Sequence, residues 1–123
     1  VIVDGSLGPL GLINDPIELK IKNGYITKII GNKEATILRK ALKPYGKEAR
    51  KLGEIGIGTN PKAEITGDSL EDEKALGTVH IGIGDHLFEG GSFRNNCHID
   101  AIIKKPNLQI DGRPIILNGQ LLI

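Results

Sequence analysis

Hydrophobic and polar residues alternate along the first quarter of the chain. Residues 17–22 read Ile-Glu-Leu-Lys-Ile-Lys, which has the two-residue period of a half-buried β-strand. Asn23-Gly24 follows, a dipeptide that favours a tight hairpin turn because both positions tolerate positive φ. Residues 25–30 then return as a second strand, whereas residues 5–16, with three Gly and two Pro, are typical of a loop. The pattern predicts an N-terminal β-hairpin that follows a loop.

The hydrophobic period changes to three and four residues between positions 33 and 43, which predicts an α-helix. Asn32 precedes it as the expected N-cap. A second, shorter helix is predicted from Leu70 to Leu76, with Ser69 as its N-cap and Gly77 after its end.

Runs rich in Ile and Leu return from about residue 97, separated by Asp111-Gly112 and Asn118-Gly119, which are two more hairpin signals. We therefore predict an α+β fold: a mixed sheet with an N-terminal β-hairpin, two helices and a C-terminal β meander. The 123 residues suit a single domain over 1–123.

Composition narrows the function classes. Sixteen Lys+Arg against fifteen Asp+Glu give a net charge of +1, which does not suggest a nucleic-acid or membrane partner. The apolar runs are too short to span a bilayer. A single cysteine, Cys97, favours a reducing, cytoplasmic setting. The chain has no Met and opens within a predicted strand, so we expect it to be a piece of a longer protein.

One motif occurs twice. Residues 53–58 and 79–84 both carry a titratable residue followed by Ile-Gly-Ile-Gly. On a strand, the isoleucines, Ile55 among them, would face the core, and Glu54 and His80 would face the other way beside bare glycine backbone. Such a face lets an ion or a substrate approach closely. The alternative is that both are surface residues next to glycine bulges, but the repetition favours a site.

A third element is His98-Ile99-Asp100. On a strand, His98 and Asp100 share a face with their Cα atoms about 6–7 Å apart, so both could bind one metal ion; the alternative is a surface hydrogen bond. Cys97 would turn away from that face. Two imidazoles with carboxylates suit Zn²⁺, Co²⁺, Mn²⁺ or Fe²⁺, and such an ion activates bound water and polarises a carbonyl.

Four segments in order, residues 53–61, 70–74, 77–84 and 98–100, resemble the C-terminal region of the thermophilic metallo-aminopeptidases of the aminopeptidase T and leucyl aminopeptidase type. The resemblance implies a C-terminal fragment of a two-metal, homodimeric hydrolase that removes N-terminal residues from peptides using Zn, Co or Mn. The roles that it implies are a catalytic and metal-binding carboxylate for Glu54 and metal ligands for His80, His98 and Asp100. We expect the fragment alone to be inactive.

Two ligands of that family have no match here. One is a glutamate well upstream of Glu54, and the other is a tyrosine soon after the first His, where this chain has Asp85 and His86 as secondary candidates. The remaining His80, His98 and Asp100 correspond to the facial triad of a non-haem Fe(II) enzyme. The same region is similar to a ring-opening dihydroxypyridine dioxygenase, which is the alternative function. A non-catalytic assembly domain is a third.

Overall fold

The computed structural model of this chain describes residues 1–84 and 97–123, which are mainly β-sheet. The strands in these ranges are β1 (Ile2–Val3), β2 (Ser6–Leu7), β3 (Gly11–Leu12), β4 (Ile17–Lys22), β5 (Tyr25–Ile30), β6 (Leu52–Ile57), β7 (Val79–Gly84), β8 (His98–Ile103), β9 (Leu108–Ile110), β10 (Arg113–Leu117) and β11 (Gln120–Leu121). The helices there are α1 (Lys33–Leu42) and α2 (Ser69–Asp72), with 3-10 turns at Lys43–Tyr45 and Lys47–Arg50. The predicted α+β class is confirmed.

The predicted hairpin is strands β4 and β5, which pair in antiparallel fashion, with β1 on the other side of β4. Asn23 (φ 52°) and Gly24 (φ 79°) form the turn in the left-handed conformation that the dipeptide indicated. The loop predicted for residues 5–16 is wrong in part, because it contains β2 and β3. Leu7 of β2 pairs with Ala101 of β8, a long-range contact that local periodicity does not reveal.

Helix α1 has nearly the predicted bounds and buries Ala35, Leu38 and Leu42, but the side chain of Asn32 makes no capping hydrogen bond. Helix α2 is shorter than predicted and is capped by Asp68, not Ser69: the Asp68 carboxylate accepts from the Leu70 N–H. The helix stops because the following backbone pairs elsewhere. Asn60 donates to the Lys74 carbonyl and accepts from the Leu76 N–H, which removes those groups from a helical ladder.

The central sheet has the order β3-β2-β8-β7-β6, so the two strands with the repeated motif are neighbours. Directly paired residues lie on one face of a sheet. Gly82 of β7 pairs with Glu54 on one side and Asp100 on the other, and His80 pairs with Gly56. The register thus places the predicted polar residues of three strands on the same face.

The reverse face of this sheet is apolar, and Ile81, Ile83 and Ile99 belong to the main hydrophobic core. Ile55 does not: it is 63 % exposed, so its predicted core position is wrong. The reason is that β6 is the edge strand of the central sheet. Ile55 there borders an apolar groove of about 450 Å³ that Leu108 also lines.

The C-terminal strands β9, β10 and β11 form the predicted meander. Its turns have positive φ at Asp111-Gly112 and Asn118-Gly119, as those dipeptides indicated. The second turn packs tightly against Gly77, where an added Cβ would lie 2.0 Å from the Gly119 carbonyl oxygen. Across residues 1–84 and 97–123, we find no helix with the length and apolar character needed to cross a membrane.

Candidate metal centre

Glu54 and His80 form the most buried part of the polar face. His80 is only 7 % exposed, and its Nε2 lies 2.6 Å from Oε1 of Glu54, at hydrogen-bond distance. The other ring nitrogen, Nδ1, is buried and has no hydrogen-bond partner among the residues that the structure describes. A buried imidazole nitrogen without a partner is costly, so its occurrence calls for a functional explanation.

Glycines create the space that these side chains occupy. A Cβ on Gly56 would lie 2.1 Å from Cε1 of His80, which shows that the imidazole ring rests directly on glycine backbone. A Cβ on Gly82 would lie 2.8 Å from Cβ of Glu54 and 3.0 Å from Cε1 of His98. Side chains of the three strands therefore pack directly on glycine backbone, while the predicted close approach of an ion or a substrate stays a prediction.

His98 and Asp100 lie two residues apart on β8, and Nε2 of His98 is 3.0 Å from Oδ1 of Asp100. The His98 side chain is about one-third exposed, while that of Asp100 is mostly buried. The surface hydrogen bond that was the alternative to a shared metal ion is thus present. It is compatible with metal binding, because Nε2 of His98 and Oδ1 of Asp100 are both atoms that can bind a metal ion and they lie close together.

Among the described residues, two groups have ligand atoms that all lie within 4.8 Å of one another. One consists of Glu54, His98 and Asp100, and the other of Glu54, Glu73 and His80. Glu54 is common to both. The four predicted ligands therefore converge on one face, but His80 joins His98 and Asp100 through Glu54 rather than as a compact trio of its own.

Glu73 is the member of this site that the sequence reasoning missed. Acidic residues in the first turn of a helix, such as the Glu71-Asp72-Glu73 run of the predicted helix, ordinarily stabilise that turn. In the structure the three residues have different roles: Glu71 is exposed, Asp72 is fully buried, and Glu73 lies beside Glu54 and His80. The only signal in the sequence was the place of this run just before the His80 strand, and spacing across a turn does not give a distance.

The candidates that remain are Asp85, His86 and Cys97. Asp85 and His86 fall outside the described residues. Cys97 is buried on the core side of the sheet, as predicted, and burial raises the pKa of its thiol. It is therefore not a ligand at this face.

The residues present fit a divalent metal ion. The ligand atom of Glu54 lies within 4.8 Å of those of Asp100 and His98 in one group and of those of Glu73 and His80 in the other. Two unit charges of the same sign about 5 Å apart repel by about 3 kcal/mol at an effective dielectric constant of about 20, and a cation between them offsets this cost. The buried, unpartnered nitrogen of His80 and the glycine-lined space support the same conclusion.

The sequence model of the 2,5-dihydroxypyridine 5,6-dioxygenase (NicX) family matches residues 10–123 of this chain. The chain belongs to this family. A 2,5-dihydroxypyridine 5,6-dioxygenase of Pseudomonas putida is 28 % identical over 116 residues, which cover 86 % of this chain and 33 % of the relative. The solved structure of the 2,5-dihydroxypyridine dioxygenase from Pseudomonas putida KT2440 superimposes with a TM-score of 0.84 at 25 % identity, covering 99 % of this chain and 39 % of that one. The chain thus spans about a third of the length of the curated relative.

Membership of the dioxygenase family overturns the primary functional expectation. The chain is not assigned to the metallo-aminopeptidases, and the predicted peptidase or hydrolase activity on a peptide substrate is wrong, because both similar proteins are dioxygenases. The motifs describe a metal-binding face of three strands, and that face alone does not determine which reaction occurs on it. The dioxygenase alternative, drawn from His80, His98 and Asp100, agrees with the comparisons. A metal cofactor is supported, but the choice of Zn, Co or Mn is not.

Proposed function

We propose that this chain carries the metal centre of a ring-cleaving dioxygenase that acts on a dihydroxypyridine. The observation that carries the proposal is the convergence of Glu54, His80, His98 and Asp100 on one glycine-lined face in a chain of this family. In such a reaction the bond between ring carbons 5 and 6 breaks. Both atoms of O₂ enter the product, so no further reductant is needed.

His98 and Asp100 are the central ligands in this proposal and are grouped with Glu54; His80, which reaches them through Glu54, supplies the second imidazole of a two-His, one-carboxylate set. This donor set is typical of non-haem Fe(II). A ferrous ion held there would supply the one-electron and dioxygen chemistry that amino-acid side chains lack. The proposed metal is therefore Fe(II).

The protein groups have their own tasks in this proposal. Glu54, which is common to both ligand groups, can take up the proton of a ring hydroxyl as the substrate binds. Gly56 and Gly82 leave the space that the side chains of His80, Glu54 and His98 occupy, which lets these groups pack closely together. The site is half-buried, so partial exclusion of water strengthens its electrostatic interactions.

The test is anaerobic Fe(II) titration of the chain, followed by oxygen uptake with 2,5-dihydroxypyridine. We expect one ferrous ion per chain, lost in His98→Ala and Asp100→Ala and kept in the control Glu71→Gln, which changes an exposed acid on the neighbouring turn. Failure of the unaltered chain to bind Fe(II), or equal binding by His98→Ala, would refute the assignment. The predicted homodimer stays a prediction, for which size-exclusion chromatography with light scattering is the measurement.

A further inference from the structure

The carboxylate of Glu73 has a defined position next to His80. One of its oxygens, an oxygen of Glu54 and a ring nitrogen of His80 all lie within 4.8 Å of one another. Its side chain is about four-fifths buried, and its other partner is the exposed ammonium of Lys74, 2.5 Å from Oε1. Glu73 is therefore close enough to His80 for a change of side-chain rotamer to bring the two into direct contact.

The backbone that carries Glu73 is fixed from one side by its neighbour Asp72. The carboxylate of Asp72 is fully buried and accepts hydrogen bonds from Oγ of Ser6 at 2.6 Å, from the Thr66 N–H at 2.7 Å and from the Gly67 N–H at 3.0 Å. These contacts tie the end of α2 to strand β2 and to the preceding loop. Because charge-assisted hydrogen bonds of this kind are strong, Glu73 has little freedom to leave the site.

The segment that follows Glu73 is also attached next to β6 and β7, two of the three strands of the metal centre. The residues after Glu73 bond to Asn60, which follows β6. Gly58 and Gly77 are also joined, with the Gly77 N–H 3.1 Å from the Gly58 carbonyl oxygen. The connection thus places Glu73 relative to β6, which carries Glu54, and to β7, which carries His80.

Nδ1 of His80 has no hydrogen-bond partner among the described residues, and the Glu73 carboxylate could accept a hydrogen bond from it. Its Nε2 faces Glu54, which is also grouped with His98 and Asp100, so Nε2 is on the side of the predicted ligands. Nδ1 is left buried and unpartnered. A histidine that binds a metal through one nitrogen carries a proton on the other and almost always donates it to a carboxylate, a carbonyl or water.

We propose that Glu73 is a positioning residue that accepts a hydrogen bond from Nδ1 of His80 when Nε2 is turned to the metal. The inference rests on the proposed function, since it assumes that the face holds a metal. Glu73 then fixes the tautomer and the ring orientation of His80 and raises the basicity of Nε2. It acts through His80 and does not itself touch the substrate.

The test uses the chain loaded with Zn²⁺, which is diamagnetic, and long-range ¹H–¹⁵N NMR of the histidine rings. We expect Nδ1 of His80 to carry a slowly exchanging proton that Glu73→Gln retains, because an amide oxygen still accepts, and that Glu73→Ala loses. Fe(II) affinity should fall about tenfold to a hundredfold in Glu73→Ala and clearly less in Glu73→Gln. The control Glu71→Ala, which removes an exposed acid from the same turn, should match the unaltered chain.

The possible results distinguish failure of the Glu73 role from failure of the proposed function. A protected Nδ1 proton and unchanged Fe(II) affinity in Glu73→Ala would overturn the inference while the proposed function stands, provided that His98→Ala still loses the metal. Equal losses in Glu73→Gln and Glu73→Ala would also overturn it, because they would indicate a direct ligand. No metal binding by the unaltered chain overturns the proposed function and this inference together. Glu73→Leu, of similar bulk but without an acceptor, replaces Glu73→Ala if circular dichroism shows that the alanine variant is unfolded.

Discussion

The Gly56→Ala substitution tests most directly whether the glycine repeats exist to accommodate the metal centre. The added Cβ would lie 2.1 Å from Cε1 and 2.2 Å from Nε2 of His80. The ring would have to move by about 1.3 Å to reach the 3.4 Å at which ordinary van der Waals contact begins. Since the ring is buried, that displacement also separates Nε2 from Glu54.

The expected cost has two parts. Overpacking in a buried site destabilises a protein by typically about 1–3 kcal/mol, and the free energy of unfolding should fall by that amount. Displacement of His80 should also weaken Fe(II) binding at least about tenfold, or about 1.4 kcal/mol. Gly8→Ala is the matched control, because its Cβ would meet nothing closer than the Ser69 hydroxyl at 3.4 Å.

The assays are urea denaturation followed by circular dichroism, and anaerobic Fe(II) competition titration. Gly56→Ala should lower both stability and affinity, while Gly8→Ala should leave the affinity unchanged. If Gly56→Ala folds with unaltered stability and binds Fe(II) as tightly as the parent chain, the close packing of His80 on glycine has no consequence and the reasoning is refuted.

Three further outcomes are expected. Asp72→Ala leaves three donors without their acceptor, so urea denaturation should show a loss of about 3 kcal/mol; a loss below 1 kcal/mol would contradict its anchoring role. Burial raises the pKa of the Cys97 thiol above 9.0. The stability that the buried, protonated thiol contributes is therefore present below the pKa of the thiol in the unfolded chain and is lost as the pH rises through its pKa in the folded chain. Thiol reagents should react slowly with Cys97 near pH 8 until urea is added. Ile55→Ala should change stability by less than about 0.5 kcal/mol, whereas Ile83→Ala should cost about 2–5 kcal/mol; equal losses would place Ile55 in the core after all.

The sequence was sufficient for features that depend on local chemistry. Asn23-Gly24 and the later Asp-Gly and Asn-Gly pairs predicted hairpin turns correctly, because positive φ is a property of those residues themselves. The period of α1 was also readable, since three of its apolar residues face the core. Period-two alternation likewise turned Glu54 and His80 away from the isoleucines of their strands, whereas the adjacency of the two strands is seen only in the sheet order.

The features that failed depend on distant partners. The end of α2 is set by Asn60, strand β2 by its pairing with β8, and the exposure of Ile55 by the position of β6 at a sheet edge. Glu73 was missed for the same reason, because a tertiary turn brings it to His80. The reaction class was misjudged because the metal-binding face does not reveal which substrate it serves.

The Ile-Gly-Ile-Gly repeats leave the alignment of β6 against β7 ambiguous for apolar side chains. If β7 slid by two residues, isoleucine or valine would still oppose Ile55, so burial alone barely distinguishes the alignments. The contact between Glu54 and His80 does depend on the alignment: in the observed register the two residues lie diagonally, each opposite a glycine, with Nε2 of His80 2.6 Å from Oε1 of Glu54. The residues that would bind the metal thus also contribute a cross-strand contact that favours this pairing of β6 with β7.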